Sequence, residues 1–165
     1  MDKPHFTIRP ATLRDLPAIH RIRTAAFAPI YASFRGLLDP PAAAHVFAHA
    51  EDDQGAYLEK IIEPHPDRGF LLGEMNGSIA GFCAYGLDRR KGVGTIDLNA
   101  VDPKHASRGL GTALYNEALA IMKREGMKAA QVSTGGDESH APARAAYEKV
   151  GLTQAVPSVL LCKAL

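Results

Sequence analysis

Cysteine is scarce: the 165 residues hold only Cys83 and Cys162, far apart and each inside an apolar run. That leaves no disulfide framework and no Cys-x-x-Cys metal site, and it fits a reduced cytosol. An excess of either charge is equally lacking, with 19 lysines and arginines against 18 aspartates and glutamates and a net charge of +1. A dedicated nucleic-acid binder needs clustered basic residues to neutralise phosphates. Here such residues come only in short runs such as Arg89-Arg90-Lys91, which reads as a solvated turn. Long apolar runs are also missing: nothing approaches the roughly 18 residues of a membrane span. Met1 to Pro10 carries Asp2, Lys3, His5 and Arg9 instead of the apolar core of a signal peptide. The seven histidines form no HExxH and have no cysteine partners, so no metal is expected. What remains is an ordinary globular composition, 46% hydrophobic and 22% charged, and the expectation of a single domain over residues 1–165.

Periodicity then orders the chain. His5 to Arg9 reads as a short strand, and Thr12 as the N-cap of a helix with Leu16, Ile19, Ile22, Ala26 and Phe27 at helical spacing. Pro29 and the segment Gly36 to Pro41 interrupt it, and Ala42 to Ile62 reads helical, with a break or loop near Asp52 to Gly55. Gly69 to Met75, the dipeptide Asn76-Gly77 and Ser78 to Leu87 form a hairpin signal, because Asn-Gly suits a two-residue turn with positive φ. Val93 to Val101 adds a third antiparallel strand. Leu110, Leu114, Ala118, Ile121 and Met122 mark one face of a helix from Gly109 to Glu125, closed by Gly126. A strand at Lys128 to Thr134, a helix at Ser139 to Val150 and a last strand near Val159 to Ala164 complete an α+β order.

The chemistry concentrates where the strand ending at Val101 turns through Asp102-Pro103-Lys104-His105-Ala106-Ser107-Arg108-Gly109-Leu110-Gly111 into a helix. Free N–H groups of such a turn converge on one point, and glycine removes the Cβ that would keep a phosphate away. The segment is not a Walker A loop, since no Gly-Lys-Ser/Thr follows, and Leu114 stands where a dinucleotide fingerprint needs its third glycine. From the residues alone it is either an anion cradle or a plain loop with two glycines.

This segment resembles motif A of the GNAT superfamily of N-acetyltransferases, [Q/R]-x-x-G-x-[G/A], on Ala106 to Gly111, with Ala106 in place of the usual glutamine or arginine. His5 to Ile19 is similar to the family's opening strand and helix, and Ala145-Ala146-Tyr147-Glu148-Lys149-Val150-Gly151-Leu152 to its motif B. The resemblance implies a mixed, mostly antiparallel central sheet of about six to seven strands flanked by about four helices. It also implies a cytoplasmic, acetyl-CoA-dependent transferase acting on an amine, with a homodimer among the admissible states and no nucleic-acid or membrane partner.

The resemblance assigns the coenzyme to Asn99, Ala100, Val101, Ala106, Ser107, Arg108, Gly109, Leu110, Gly111, Thr112, His140 and Tyr147. It gives Tyr147 the role of general acid toward the coenzyme sulfur and Asp97 that of base toward the amine. Tyr31 and Phe34 are assigned to the acceptor pocket. The residues by themselves leave alternatives open: Tyr147 lies on the apolar stripe Ala143, Ala146, Tyr147, Val150 as a buried structural tyrosine would, Asp97 reads equally as a solvated aspartate, and Ser139 as a helix cap. A fold of this kind that binds acyl-CoA without turnover is the competing functional reading.

Overall fold

The computed structural model describes residues 5–165. Five strands make one sheet in the order β1 (Phe6–Pro10), β2 (Arg68–Met75), β3 (Ser78–Asp88), β4 (Val93–Val101) and β5 (Ala129–Val132). The first four are antiparallel neighbours, and β5 runs parallel to β4. The hairpin turn falls on Asn76 and Gly77, at φ 51° and 77°, the left-handed pair that a tight turn of this type demands.

The helices are α1 (Leu16–Gly36), α2 (Pro40–Val46), α3 (Ala50–Ile61), α4 (Leu110–Arg124) and α5 (Ala141–Lys149). Side chains alternate along the strands and fill two cores. Phe70, Leu72, Phe82 and Ala84 meet Ile19 and Ile22 of α1 and Leu58 and Ile61 of α3 on one face. Leu71, Cys83, Leu87 and Ile96 meet Leu110, Leu114, Ala118 and Met122 of α4 on the other. No helix among the described residues is long and apolar enough to cross a membrane.

Three expectations are corrected. Pro29 does not end the first helix, which runs through it to Gly36. Its missing N–H leaves one carbonyl unpaired, at a cost of about 3 kcal/mol, but buried Ile19 and Ile22 before it and Tyr31 after it hold the helix against the sheet and against α3. The break in the next helical region lies at Phe47 to His49 instead of Asp52 to Gly55. Gly55 sits inside α3, where a Cβ would stand 3.3 Å from the Arg23 guanidinium, so this glycine serves close packing on α1. The strand expected near Val159 to Ala164 does not form, leaving five strands where six to seven were expected. Beside a β5 of four residues, with Pro157 offering no N–H to a ladder, the segment finds no backbone partner, and Val159, Leu160 and Leu161 remain exposed.

Two irregularities position the site. Between Cys83 and Tyr85 the β3–β4 register shifts, because Cys83 faces Asn99 whereas Tyr85 faces Ile96. The extra residue is a bulge at Asp97 and Leu98 that bends β4 and re-aims its side chains. The β4–β5 pairing ends at Ile96 and Val132, so β4 parts from its parallel neighbour there. In addition, Leu110 sits in a notch of the sheet where a Cβ on Gly73 would lie 2.5 Å from its side chain, which lets the start of α4 approach β2 and β3.

Candidate functional site

Two cavities open where β4 parts from β5. The larger, about 590 Å³, is walled by Asn99, Ala100 and Val101 of β4, by Ala106, Ser107, Gly109, Leu110, Gly111 and Thr112 at the entry to α4, and by Pro142, Ala146 and Lys149 of α5. The smaller, about 300 Å³, is walled by Asp97, Leu98 and Asn99, by Ser133 and Thr134 after β5, and by His140, Ala143 and Tyr147. Phe27, Ile30, Asn99 and Ala143 border both, so the cavities are neighbours across one narrow junction.

One wall of the larger cavity is backbone with unpaired donors. Gly109 caps α4 at φ 87°, a left-handed conformation in which a side chain would be strained, and Ser107 holds φ 61° just before it. The first helical bond runs from Ala113 N to Gly109 O at 3.0 Å, so the amides of Leu110, Gly111 and Thr112 have no partner within the helix. These are the donors an anion needs, and they line the cavity. His105 lines the same wall, with a buried Nδ1 that has no partner among the described residues.

The turn itself is anchored by Asp102, which is buried, accepts from Arg21 Nη1 at 2.5 Å and from the Lys104 amide at 3.0 Å. Burial pushes this carboxyl up, but those two donors hold it below the usual carboxylate range. A diphosphate fits this wall: it is a cradle of free amides with an unsatisfied imidazole nitrogen beside it. Arg108, also expected here, is exposed and does not line the cavity.

The smaller cavity is made mainly of side chains. Tyr147 is buried, and its Oη accepts from Asn99 Nδ2 at 3.0 Å, while Tyr115 Oη donates to Asn99 Oδ1 at 2.7 Å. The two tyrosine rings stand 4.8 Å apart. Burial raises the Tyr147 phenol above its ordinary pKa, with Asn99 and Tyr115 acting in the opposite sense, so it carries its proton at neutral pH.

Asp97 accepts from Tyr57 Oη at 2.5 Å and from the Leu98 amide at 2.8 Å. Burial first, and then the neighbouring Asp97, push the Tyr57 phenol up to about 12. Cys83 lies in β3 opposite Asn99, in the core under α4, where burial pushes its thiol up to about 12, so it stays protonated and unreactive. Among the described residues, no three His, Cys, Asp or Glu side chains come together as a metal site.

Of the residues expected from sequence, Asn99, Ala100, Val101, Ala106, Ser107, Gly109, Leu110, Gly111 and Thr112 are brought together around the larger cavity. Asp97, His140 and Tyr147 meet around the smaller. His140 therefore faces the second cavity, with Ser139 beside the first. Tyr31 and Phe34 lie within α1 and line neither cavity: Tyr31 is buried, with its Oη donating to Ala50 O at 3.2 Å, and Phe34 stacks on Phe47 and on His140. Sequence reading missed Tyr57, Tyr115, Phe27 and Ile30. Tyr115 stands next to Leu114 on the apolar stripe of α4 and could have been found there. Nothing local in the sequence links Tyr57 with Asp97, 40 positions away.

Residues 31–152 match the model of the acetyltransferase (GNAT) family, well over half of the chain. A mycothiol acetyltransferase of Sanguibacter keddieii is 31% identical over 110 residues, 63% of this chain and 34% of that protein. An uncharacterized N-acetyltransferase of Methanocaldococcus jannaschii is 32% identical over 84 residues, 48% of this chain and 37% of that protein. The chain thus spans about a third of the length of these curated relatives. Among solved structures, the PaiA N-acetyltransferase of Thermoplasma acidophilum in complex with coenzyme A superposes with a TM-score of 0.70 at 18% identity, covering 89% of each chain. The ribosomal-protein-S18-alanine N-acetyltransferase of Escherichia coli gives 0.61 at 22% identity, covering 89% of this chain and 77% of that one. The sheet, the glycine-capped α4 and the family match lead to one conclusion: this chain belongs to the acetyltransferase (GNAT) family.

Proposed function

We propose that the chain transfers an acetyl group from acetyl-CoA directly to an amine. The observation that carries this reading is the junction of the two cavities at Asn99: one side offers free backbone amides for a diphosphate, the other the Asp97 side chain and a protonated phenol. Unlike ligands are thereby brought to one point from opposite directions, which is the positioning a two-substrate transfer requires.

The coenzyme supplies an activated acetyl thioester. Leu110, Gly111 and Thr112 hold its phosphates, and Asn99 to Val101 flank its arm along the edge of β4 that β5 has left. A backbone N–H on that edge polarises the thioester carbonyl as negative charge develops on its oxygen. Asp97 draws the acceptor, a cation at neutral pH, into the smaller cavity. The amine nitrogen forms the C–N bond, the C–S pair leaves on sulfur, and Tyr147 gives its proton to the thiolate. No covalent carrier is needed, consistent with the inert, buried Cys83.

The test is thiol release from acetyl-CoA across a panel of spermidine, glucosamine, kanamycin and an alanyl tetrapeptide, run beside a thermal shift with acetyl-CoA. Amine-dependent release is the expected result. Stabilisation by acetyl-CoA with no release on any amine favours a binding module without turnover, and loss of both overturns the coenzyme site as well.

A further inference from the structure

The amine must lose a proton before it can attack. With a lysine-like pKa near 10.4, only about one part in 10³ is free base at pH 7. Asp97 is poorly placed for this task, because Oδ2 is held by the Tyr57 hydroxyl and Oδ1 by the Leu98 amide. A second titratable group faces the same cavity with a nitrogen uncommitted. His140 lines it, and its Nδ1 lies 2.7 Å from Asp137 Oδ1. Among the described residues, no protein partner of Nε2 is found, and the ring is held face to face with Phe34, centroids 5.3 Å apart.

Asp137 is itself fixed from several sides. Its Oδ2 accepts from Ser33 Oγ of α1 at 2.8 Å, from the Ser139 amide at 3.2 Å and from the Ser139 hydroxyl. Arg144 Nη1 of α5 donates to the carbonyls of Gly135 and Asp137, each at 2.7 Å, and clamps the loop. Burial raises the Asp137 carboxyl, but Ser139, Ser33 and His140 together hold it well below the usual range, so it is a carboxylate. A carboxylate only accepts, so Nδ1 carries the hydrogen, and of the two neutral tautomers this bond selects the one with its lone pair on Nε2. The charged groups facing this ring are Asp137 on its own turn, Arg144 from α5 through the loop carbonyls, and Asp97 from β4 across the cavity. The helix α1 contributes Ser33 on Asp137, Phe34 against the ring, and Phe27 and Ile30 to the wall of the same cavity, none of them charged.

We propose that His140, oriented by Asp137, is the general base of this site. The inference rests on the acetyltransferase reading above. Nε2 takes one proton from the acceptor ammonium and becomes an imidazolium paired with Asp137. The freed nitrogen lone pair forms the C–N bond, and the C–S pair leaves on sulfur. Tyr147 protonates the sulfur and regains a proton from the adduct nitrogen, and His140 returns its proton to solvent. Asp137 is a positioning residue, since it acts through the ring.

Two readouts test this separately. Long-range ¹H–¹⁵N correlation of the histidine rings, with His140→Gln assigning the signal, is expected to show the Nδ1–H form; a dominant Nε2–H form overturns the proposal whether or not any amine is acetylated. The second is the pH profile of kcat/KM on whichever panel amine turns over fastest. It should fall on the acid side in the wild type. In His140→Gln that limb should vanish with kcat down about 100-fold, the lower end of general-base effects, while calorimetric acetyl-CoA affinity stays within about threefold. In Asp137→Asn the imidazolium loses its neighbouring anion, so the limb should move to lower pH. An unchanged limb in His140→Gln, or its loss in Asp97→Asn instead, overturns the assignment to His140. Absence of turnover on every amine with acetyl-CoA binding intact defeats the acetyltransferase reading, and the tautomer still decides the ring's role.

Discussion

The two cavities are built from different materials. The larger presents backbone on one wall: a glycine cap at φ 87°, the amides that open α4 and the edge of β4 left free after Ile96. The smaller is lined by Asp97, Asn99, His140 and Tyr147, whose side chains are held from distant places: Tyr57 of α3 bonds Asp97, Tyr115 of α4 bonds Asn99, and Ser33 of α1 bonds Asp137 beside His140. A backbone cradle tolerates change in most side chains around it and demands small residues at a few positions. A side-chain cavity is set by residue identity, so in the proposed reaction it is the part that selects the acceptor. The difference predicts that mutations will separate coenzyme binding from turnover.

The largest effect is expected at Gly111. A leucine there would project from the first turn of α4 into the cradle, where Gly111 faces Val101 and Tyr115. Calorimetric affinity for acetyl-CoA should fall at least 100-fold, about 3 kcal/mol, with the fold intact by circular dichroism. Tyr147→Phe comes next: removal of the proton donor should lower kcat about 100-fold and leave coenzyme affinity within about threefold. Equal losses in both would show that Tyr147 belongs to the cradle, erasing the division. Tyr57→Phe frees one oxygen of Asp97 without touching the backbone site, and steady-state kinetics should show a change in amine KM of about tenfold, roughly 1.4 kcal/mol, with acetyl-CoA KM unchanged.

The smallest effect concerns stability and pH. Asp102 under the cradle and Asp137 beside the second cavity both titrate below their unfolded values. A carboxyl with a depressed folded pKa contributes stability that is present above its unfolded value, near 3.9, and is lost as pH falls through the folded value. Urea midpoints should therefore hold steady from about pH 7 to 5 and drop below about pH 4. In Asp102→Asn and Asp137→Asn the drop should be shallower.

The same contrast explains what could be read before any coordinates. The hairpin at Asn76-Gly77, the α4 stripe and the glycine turn follow from local rules, since φ preference and period act over a few residues, and the backbone cradle came with them. The bulge at Asp97 and Leu98 did not, because a register shift depends on which strand lies opposite. The continuity of α1 through Pro29 was hidden for a similar reason: packing outweighed a local breaker. Tyr31 and Phe34 looked like loop aromatics only because the helix seemed to stop. Within it, one turns into the core and the other supports His140. Ser139 is legible as a helix cap, whereas the partnership of Asp137 with Ser33, 104 positions away, is not.

Calorimetric titration with acetyl-CoA of the wild type, Gly111→Leu and His140→Gln tests the division most directly. Wild type and His140→Gln should bind alike within about threefold, and Gly111→Leu should lose at least about 100-fold. Binding that survives in Gly111→Leu, or collapses in His140→Gln, would contradict a coenzyme site built of backbone beside an acceptor site built of side chains.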